Sequence, residues 1–346
     1  MKIDFKELLG THQDEIIFII HNMPDPDAMS SALGMRSLIS FLGYKVGKIY
    51  YTGEISHPQN RSMLTLLNID SMVNYDTAIF EEKHKAVLLD TNNIGPGTNQ
   101  ADIPPSTVDL VAVIDHHKGS NPKGVSVDTR PVGACASIVW EYLSDSEFDF
   151  DTEEGKTVAT ALIVGIVTDT DSLMSDNISD LDFRAYQDLL NHVDRQKMNG
   201  IMRYPLPSYL FELRQRAFQE ENKTLEDSSI VSGLGVITQT KRDALPIIAD
   251  EFLRMTGVTT AVVFAIIKDE VLEYIDICVR SKNQTVDVGE FLQKSFGTGG
   301  GKRGAGRAKI NLDFFSTNGD EALGNEIWSL VYKIVKKKIF DNMKGS

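Results

Sequence analysis

Residues 16–27 read IIFIIHNMPDPD, so a run of five large apolar residues leads directly into a histidine and two aspartates. An uninterrupted apolar run of this length predicts a buried strand, which places His21 at the carboxyl end of that strand. Pro24 and Pro26 lack a backbone donor and fix φ, so they should hold Asp25 and Asp27 on a stiff turn. An imidazole beside two carboxylates, with no basic side chain between them, favours a cation site.

The same residues allow a second interpretation, because aspartate is also a common helix cap. Asp27 directly precedes residues 28–42, which have helical periodicity. From this stretch alone a helix cap and a metal site are equally acceptable, so the choice depends on the rest of the chain.

The length of 346 residues exceeds the size at which a single core usually splits, so we expect two domains. The pattern along the chain predicts a catalytic domain over 1–195, a connecting helix or linker over 196–228 and a smaller domain over 229–346. The formal net charge of −14 argues against a protein that coats long duplex nucleic acid. It leaves room for a short anionic substrate that binds beside a metal.

The two cysteines and the first residues bear on the cellular compartment. Cys135 and Cys278 are far apart and match neither a metal nor a disulfide pattern, which predicts two buried thiols in a reducing cytoplasm. The first six residues, MKIDFK, carry an acid where a signal peptide would be apolar. The longest nearly apolar stretch, residues 158–167, is shorter than the ~20 residues of a membrane span. We therefore expect a cytoplasmic protein that does not contact the membrane.

The first 195 residues alternate between predicted strands and helices. The strands are expected over 16–20, 45–51, 85–90 and 109–115, and the helices over 30–42, 58–67, 132–143, 154–168 and 182–193. This alternation predicts an α/β domain with a parallel sheet and helices on both faces. His21, Asp90 and Asp115 each end a strand, and ligands of open α/β sheets bind at the carboxyl ends of the strands. These side chains should therefore converge.

Two further polar groups follow apolar elements. His116 and His117 leave the strand that ends in Asp115, and this acid can orient an imidazole ring. Asp169 ends the apolar helix predicted over 154–168, where a buried carboxylate is costly without a partner. We expect both groups to belong to the same site.

The second domain is predicted as a smaller α/β unit with a glycine-rich segment. Its strands are expected over 230–236, 261–267 and 273–279 and its helices over 244–255, 288–295 and 320–340, after a connecting helix over 209–225. Residues 297–306 read GTGGGKRGAG, and six glycines with Lys302 and Arg303 favour an anion or nucleotide clamp over a flexible hairpin.

Charge balance supports a pair of cations. Four carboxylates bring four negative charges, which two divalent ions would neutralise, and two ions ~3.5–4 Å apart need one shared carboxylate. Asp90 is the natural bridge because it follows a central strand. The ligands expected for one ion are His21, Asp25 and Asp90, and those for the other are Asp27, Asp90, His116 and Asp169. Oxygen-rich ligation favours Mn²⁺, with Mg²⁺ as the alternative. A pair of such ions would activate a water molecule to attack a phosphorus atom, while His117 holds the non-bridging oxygens, and the reaction would be phosphoester hydrolysis.

These motifs, in this order, resemble those of the DHH phosphoesterase superfamily. The Arg280-Ser281 pair, followed by the glycine-rich segment, resembles the DHH-associated C-terminal domain. The nearest group by resemblance comprises two-domain nanoRNases and phosphodiesterases of cyclic di-AMP or linear dinucleotides, which usually need manganese and are often dimeric. The resemblance implies that His116 binds metal, that Asp115 supports catalysis from behind the metal ligands and that His117 contacts the phosphate. It also implies a site for the far end of the substrate. That site would comprise Arg280, Ser281, Gly299, Gly300, Gly301, Lys302 and Arg303.

Two positions depart from the family pattern. Gly301 occupies the place of a histidine in the glycine-rich loop, and Asp171 replaces a glycine that commonly follows the fourth motif. The first departure bears on the choice of substrate. The second bears on the surroundings of the metals.

The sequence thus predicts a cytoplasmic manganese-dependent phosphodiesterase. We expect it to cut short 5′-phosphorylated oligonucleotides or linear dinucleotides such as pGpG to nucleoside monophosphates, and a homodimer is compatible with the resemblance. The alternatives are a cyclic-dinucleotide phosphodiesterase, an exopolyphosphatase or a pyrophosphatase. A haloacid-dehalogenase phosphatase fits less well, because Met29 stands where that family needs threonine. A non-catalytic nucleotide sensor is the non-enzymatic alternative.

Overall fold

The computed structural model describes residues 2–53, 55, 57–70, 73–74, 81–95, 98, 103–268, 273–283, 286–302, 304–312, 315 and 321–343. The chain divides into two compact units, residues 1–205 and 206–346. Within the described ranges, no helix combines the length and the apolar character that crossing a membrane requires.

The first unit is built on a parallel sheet. Its strands are β1 (Ile16–Ile19), β2 (Val46–Tyr50), β3 (Val73–Asn74), β4 (His84–Leu89), β5 (Val108–Asp115) and β6 (Ser126–Thr129). Its helices are α1 (Phe5–Leu9), α2 (Pro26–Phe41), α3 (Pro58–Leu67), α4 (Cys135–Asp145), α5 (Glu153–Asp169), α6 (Asp180–Leu189) and α7 (Arg195–Met202). The described strands lie in the order β3-β2-β1-β4-β5-β6, and all their pairings are parallel. The predicted α/β class with a parallel sheet is confirmed, whereas the short β3 and β6 were not predicted.

Alternate residues of the strands supply two apolar cores, one on each face of this sheet. Phe18 and Ile20 belong to the larger core, together with the buried apolar residues of the described α-helices of this unit. Ile17 and Ile19 face the smaller core, where Ile94 and Ile103 come from the connection between β4 and β5. In the described residues, that connection contains a 3₁₀ turn at Pro105–Thr107 and no α-helix.

Helix α2 begins four residues before the predicted start at residue 30. Asp25 is its N-cap and accepts a hydrogen bond from the backbone amide of Ala28 at 3.0 Å, while Pro26 occupies the first turn. Proline is favoured there because its missing N–H would have no partner in a helix. The cap interpretation therefore holds for Asp25 instead of Asp27, which lies in the first turn and is buried.

The second unit is a mixed sheet between two layers of helices. Its strands are β7 (Lys223–Glu226), β8 (Ser229–Thr238), β9 (Thr260–Lys268), β10 (Glu273–Ser281), β11 (Gly300–Lys302) and β12 (Ala305–Asn311), and its helices are α8 (Ser208–Phe218), α9 (Ala244–Leu253), α10 (Val288–Phe296) and α11 (Glu321–Met343). The described strand order is β11-β12-β10-β9-β8-β7, with only β8 and β9 parallel. Apolar residues of α8 and α9 fill the core on one face, and those of α10 and α11 fill the core on the other. The smaller α/β unit is confirmed.

The predicted linker over 196–228 is divided between the two units. Ile201 of α7 is buried in the larger core of the first unit, whereas Leu210 and Leu213 of α8 are buried in the second. The predicted helix over 209–225 ends at Phe218, and part of its remainder is strand β7, which pairs with β8. The apolar face of α8 thus serves the second core instead of a free connection.

Candidate metal centre

Three polar side chains follow three neighbouring strands of the first unit. His21, Asp90 and Asp115 stand at the carboxyl ends of β1, β4 and β5, which are adjacent in the sheet. The chain leaves β1 towards β2 on one side and returns to β4 on the other, so the point where strand order reverses lies between β1 and β4. This is where ligands of open α/β sheets bind. Asp90 adopts a left-handed φ of 54°, which turns the chain as soon as β4 ends.

One group of metal-ligating atoms surrounds the ring of His21. Its Nε2 lies 3.6 Å from Asp25 Oδ1 and 3.4 Å from Asp90 Oδ2. The ligand atoms of these three residues all lie within 4.8 Å of one another, which suits one shared ion. The structure therefore brings together the three residues that were predicted for the first ion.

A second group surrounds the ring of His116. Its Nε2 lies 3.3 Å from Asp90 Oδ1, 3.4 Å from Asp169 Oδ2 and 3.7 Å from Asp27 Oδ2. Asp90 thus presents Oδ2 to the first group and Oδ1 to the second. Each oxygen of this carboxylate faces a different imidazole, as a bridging ligand requires.

Both imidazoles are oriented by backbone carbonyls. His21 Nδ1 lies 2.9 Å from the carbonyl oxygen of Asn22, and His116 Nδ1 lies 3.1 Å from that of Val132. A carbonyl oxygen only accepts, so the Nδ1 atoms carry the protons and donate. Each Nε2 is then left to face the carboxylates, which is the arrangement in which a neutral imidazole binds metal.

The buried polar atoms at the centre of this arrangement fit a divalent cation. Asp90 Oδ1 and His116 Nε2 are buried and make no hydrogen bond to any described residue. The side chains of Asp90 and His116 are 2% and 5% exposed, so water does not compensate them. Buried polar atoms without partners are costly, and a cation between them would satisfy both.

The pKa values show how the same atoms balance charge among themselves. Burial opposes protonation of His116, but Asp90 and Asp27 outweigh it and raise the pKa of His116 to about 10. Burial and then the charge of Asp90 hold the pKa of Asp27 well above its usual range. Burial opposes the charged form of Asp90 too, yet the neighbouring imidazoles of His116 and His21 outweigh it and lower the pKa of Asp90. The cluster therefore lacks fixed positive charge, which metal ions would supply.

Asp115 and His117 lie beside the two groups and contact each other. Asp115 is fully buried, and its Oδ1 accepts from the backbone amides of His116 and His117 at 2.8 and 3.1 Å. The same oxygen lies 2.9 Å from His117 Nδ1, and this bond outweighs burial and raises the pKa of His117. The His117 side chain is 46% exposed, so its ring can reach a substrate.

The predicted substrate residues of the second unit lie around the end of β10. Arg280 Nε pairs with Asp250 Oδ1 at 3.1 Å. Ser281 points to the opposite face of the sheet, because successive strand residues alternate, and its Oγ lies 3.0 Å from Thr260 Oγ1. Two side chains on opposite faces cannot bind one ligand from the same side. Arg303 and the side chain of Lys302 lie outside what the structure describes.

The glycine-rich segment forms a hairpin of β11 and β12. Gly301 pairs with Gly306, and a methyl group at Gly301 would lie 2.4 Å from the carbonyl oxygen of Ala305. No side chain fits there, which gives a packing reason for the absence of the family's histidine. In the described strand order β11 is the outermost strand, and the backbone of Gly301 lies against Gly289 of α10.

Two backbone amides that contact the centre could not be predicted from the sequence. Asp27 Oδ2 accepts from the backbone amide of Cys135 and Asp27 Oδ1 from that of Ala136, both at 2.8 Å, at the start of α4. Main-chain donors can come from almost any residue type, so no side-chain pattern announces them. Only the helix start predicted near residue 132 pointed to this place.

Three curated proteins resemble parts of this chain. The uncharacterized protein MJ1633 of Methanocaldococcus jannaschii is 32% identical over 327 residues, which cover 94% of this chain and 63% of that protein. The probable manganese-dependent inorganic pyrophosphatase of Staphylococcus epidermidis is 28% identical over 155 residues, 43% of this chain and 46% of that protein. The cyclic-di-AMP phosphodiesterase PdeA of Listeria monocytogenes is 28% identical over 170 residues, 47% of this chain and 26% of that protein. The chain spans less than two thirds of the length of each of these relatives.

A solved structure shares the fold over both units. It is an exopolyphosphatase-related protein from Bacteroides fragilis, with a TM-score of 0.69, 15% sequence identity and coverage of 96% of both chains. The model of the DHH family, N-terminal domain, matches residues 15–166, from the start of the first strand to the last turn of α5. Over these residues, with acids and histidines at the carboxyl ends of the strands, the chain is similar to the DHH family.

Proposed function

We propose that this chain is a manganese-dependent phosphodiesterase that cuts linear dinucleotides such as pGpG, or similarly short 5′-phosphorylated oligonucleotides, to nucleoside monophosphates. The observation that carries the proposal is the pair of ligand groups that share Asp90. His21 and Asp25 complete one group, and His116 and Asp169, with Asp27, complete the other. A pair of sites with a common carboxylate is typical of enzymes that hydrolyse phosphoester bonds.

The residues around the pair have separate tasks. Divalent cations bound there would neutralise phosphate charge and supply an activated water. Asp115 accepts from His117 Nδ1 and raises the pKa of His117, which favours the imidazolium. In that form Nε2 also carries a proton and can donate to a non-bridging phosphate oxygen. Asp115 itself is fully buried and therefore orients this ring without touching substrate.

The short length of the substrate is the finer part of the proposal. Its support is the net charge of −14, which disfavours long polyanions, and the resemblance of Arg280 and the glycine-rich hairpin to a module that holds the far end of a substrate. A cytoplasmic location and a homodimer stay predictions.

Inorganic pyrophosphate is the main competing substrate, because a relative named as a manganese-dependent pyrophosphatase matches 43% of this chain. Cyclic di-AMP is the next, because PdeA matches 47% of it. Each match covers less than half of this chain, so neither decides the choice of substrate.

A panel of substrates would test the proposal. The chain would be freed of metal with a chelator, reloaded with Mn²⁺ and given equal concentrations of pGpG, cyclic di-AMP, pyrophosphate, polyphosphate and an RNA of roughly 24 nucleotides. We expect GMP from pGpG, at a rate about tenfold or more above that on the long RNA, a difference of at least ~1.4 kcal/mol in activation free energy. The metal-free chain is the control and should be inactive.

Two outcomes would overturn it. Equal rates on pGpG and on the long RNA would contradict a preference for short chains. Preferential release of phosphate from pyrophosphate or polyphosphate would replace the proposal with the corresponding alternative.

A further inference from the structure

Asp182, near the start of α6, is a fully buried carboxylate with no positive partner among its hydrogen bonds. Its Oδ2 accepts from the amide of Gly133 at 2.8 Å and from the amide and hydroxyl of Ser179, both at 2.7 Å. Its Oδ1 accepts from the amide of Ala134 at 3.2 Å and the hydroxyl of Ser137 at 2.6 Å. Only a carboxylate can accept all of these bonds, because a backbone N–H, which only donates, faces each of its oxygens.

The segment that Asp182 holds, Val132–Ala136, contacts the metal centre on one side. The carbonyl oxygen of Val132 lies 3.1 Å from Nδ1 of His116, and the amides of Cys135 and Ala136 bind the two oxygens of Asp27. We call this five-residue segment the strap. Two predicted ligands are thus oriented by its main chain.

Asp169 is the third residue that is predicted to bind the second ion and not the first. It also lies next to the strap. Gly133 packs so closely on the side chain of Thr170 that a methyl group on Gly133 would lie 2.6 Å from Thr170 Cγ2. Thr170 directly follows Asp169 and is fully buried. The strap therefore contacts Asp27, His116 and the neighbour of Asp169, whereas none of the hydrogen bonds that it makes within the described part of the chain goes to His21 or Asp25.

We propose that Asp182 is a positioning residue for the metal centre: it fixes the strap and thereby sets the affinity of the ion bound by Asp27, His116 and Asp169. This inference rests on the proposed metal centre and deepens it. Asp182 acts through the strap and does not touch the ion. Partners that orient metal ligands typically change metal affinity by about 10- to 100-fold when they are mutated.

The variant that tests this is Asp182→Asn. It keeps the shape of the side chain but places an NH₂ group against donors, whichever way the amide turns. The matched control is Asp188→Asn, because Asp188 also links α6 to α4 but accepts only the indole N–H of Trp140 at 2.8 Å, a bond that asparagine can keep. A milder variant is Ser137→Ala, which removes one of the bonds to Asp182 and leaves the strap amides in place.

The measurement is Mn²⁺ binding to the metal-free chain by calorimetry, together with the electron paramagnetic resonance signal of the bound ions. We expect two ions on the wild type, a loss of about 10- to 100-fold in the affinity of one of them in Asp182→Asn, and loss of the coupled-pair signal at Mn²⁺ concentrations that saturate the wild type. Ser137→Ala should weaken the same ion by less, and Asp188→Asn should bind both ions as the wild type does. In a His21→Ala background, Asp182→Asn should weaken the binding that is left.

The outcomes separate the inference from the proposed function. If the wild type binds no Mn²⁺, the metal centre and the inference fail together. If it binds two ions and both variants at the strap bind them equally well while their unfolding free energy falls, the inference alone fails and Asp182 is only structural. If Asp182→Asn does not fold, Ser137→Ala decides: unchanged affinity overturns the inference, and weaker binding of one ion supports it.

Discussion

Each unit buries an aspartate among charged side chains, but the two units supply the opposite charge differently. In the second unit, Asp276 is fully buried, receives Arg307 Nε at 2.7 Å and also pairs with Arg242. In the first unit, Asp90 is 2% exposed, and its ion-pair partners among the described residues are imidazoles, while other carboxylates crowd around it. Arginine keeps its charge at any physiological pH, whereas imidazole does not.

This difference separates a structural network from a binding site. Burial opposes the charged form of Asp276, but Arg307 and Arg242 outweigh it and lower its pKa, so the chain itself supplies the opposite charge. Around Asp90, charge balance requires either protonated histidines or ions from outside. A buried acid is therefore informative about function only when the sign and permanence of its neighbours' charges are known.

The largest expected effect comes from Asp90→Asn, because each oxygen of Asp90 faces a different ligand group. Loss of the shared carboxylate should cost several kcal/mol of transition-state stabilisation, about a thousandfold in turnover, and reduce the number of bound Mn²⁺ ions. Turnover on the preferred substrate and metal content after desalting would measure this.

The matched control for Asp90→Asn is Asp109→Asn. Asp109 is exposed near the amino end of β5, whereas Asp90 follows the carboxyl end of the neighbouring strand β4. The control should behave as the wild type. If Asp90→Asn binds both ions and turns over substrate as fast as the wild type, Asp90 does not bridge the ions. The difference between the surroundings of Asp90 and those of Asp276 would then have no functional meaning.

The next effect is on stability and belongs to the second unit. Asp276→Asn keeps the shape but removes the charge that pairs with Arg242 and Arg307 inside the second unit, and such a loss costs about 3–5 kcal/mol. Urea unfolding would measure it, and Mn²⁺ binding should not change. Asp250→Asn is the control, because it breaks the Arg280 pair at a carboxylate that is 52% exposed and should cost less than ~1 kcal/mol.

At low pH the free energies of unfolding of the wild type and Asp276→Asn should differ by less. The pKa of Asp276 is lower in the folded chain, so the unfolded chain binds the proton more readily. The stabilisation is therefore complete above the unfolded pKa of about 3.9 and is lost as the pH falls through the folded value. Urea midpoints that differ equally at pH 6 and well below pH 4 would contradict this account.

The sequence predicted the strands and the acids that end them, because apolar runs in a parallel sheet stop where the chain meets solvent. For that reason, His21, Asp90 and His116 could be predicted to lie together at the carboxyl ends of the strands. Contacts made by the main chain could not be predicted, as the amide of Cys135 on Asp27 shows. The sequence also could not show that the two ends of the predicted linker belong to different cores. An amphipathic helix such as α8 has an apolar face, but only tertiary packing decides which core that face joins.

The smallest expected effect concerns backbone strain at the edge of the metal centre. Around the glycine-rich hairpin, positive φ values fall on glycines such as Gly299 and Gly304, but after α5 they fall on Asp171, Ser172 and Leu173. Left-handed geometry is costly for residues with a Cβ, so Asp171→Gly should raise the unfolding free energy by about 1 kcal/mol or less, the gain being reduced by the entropy that glycine loses on folding. Urea unfolding of the metal-free chain would measure it. Asp176→Gly is the control at an exposed position of the same loop without a positive φ, and an equal gain there would mean that strain at residue 171 is not the cause.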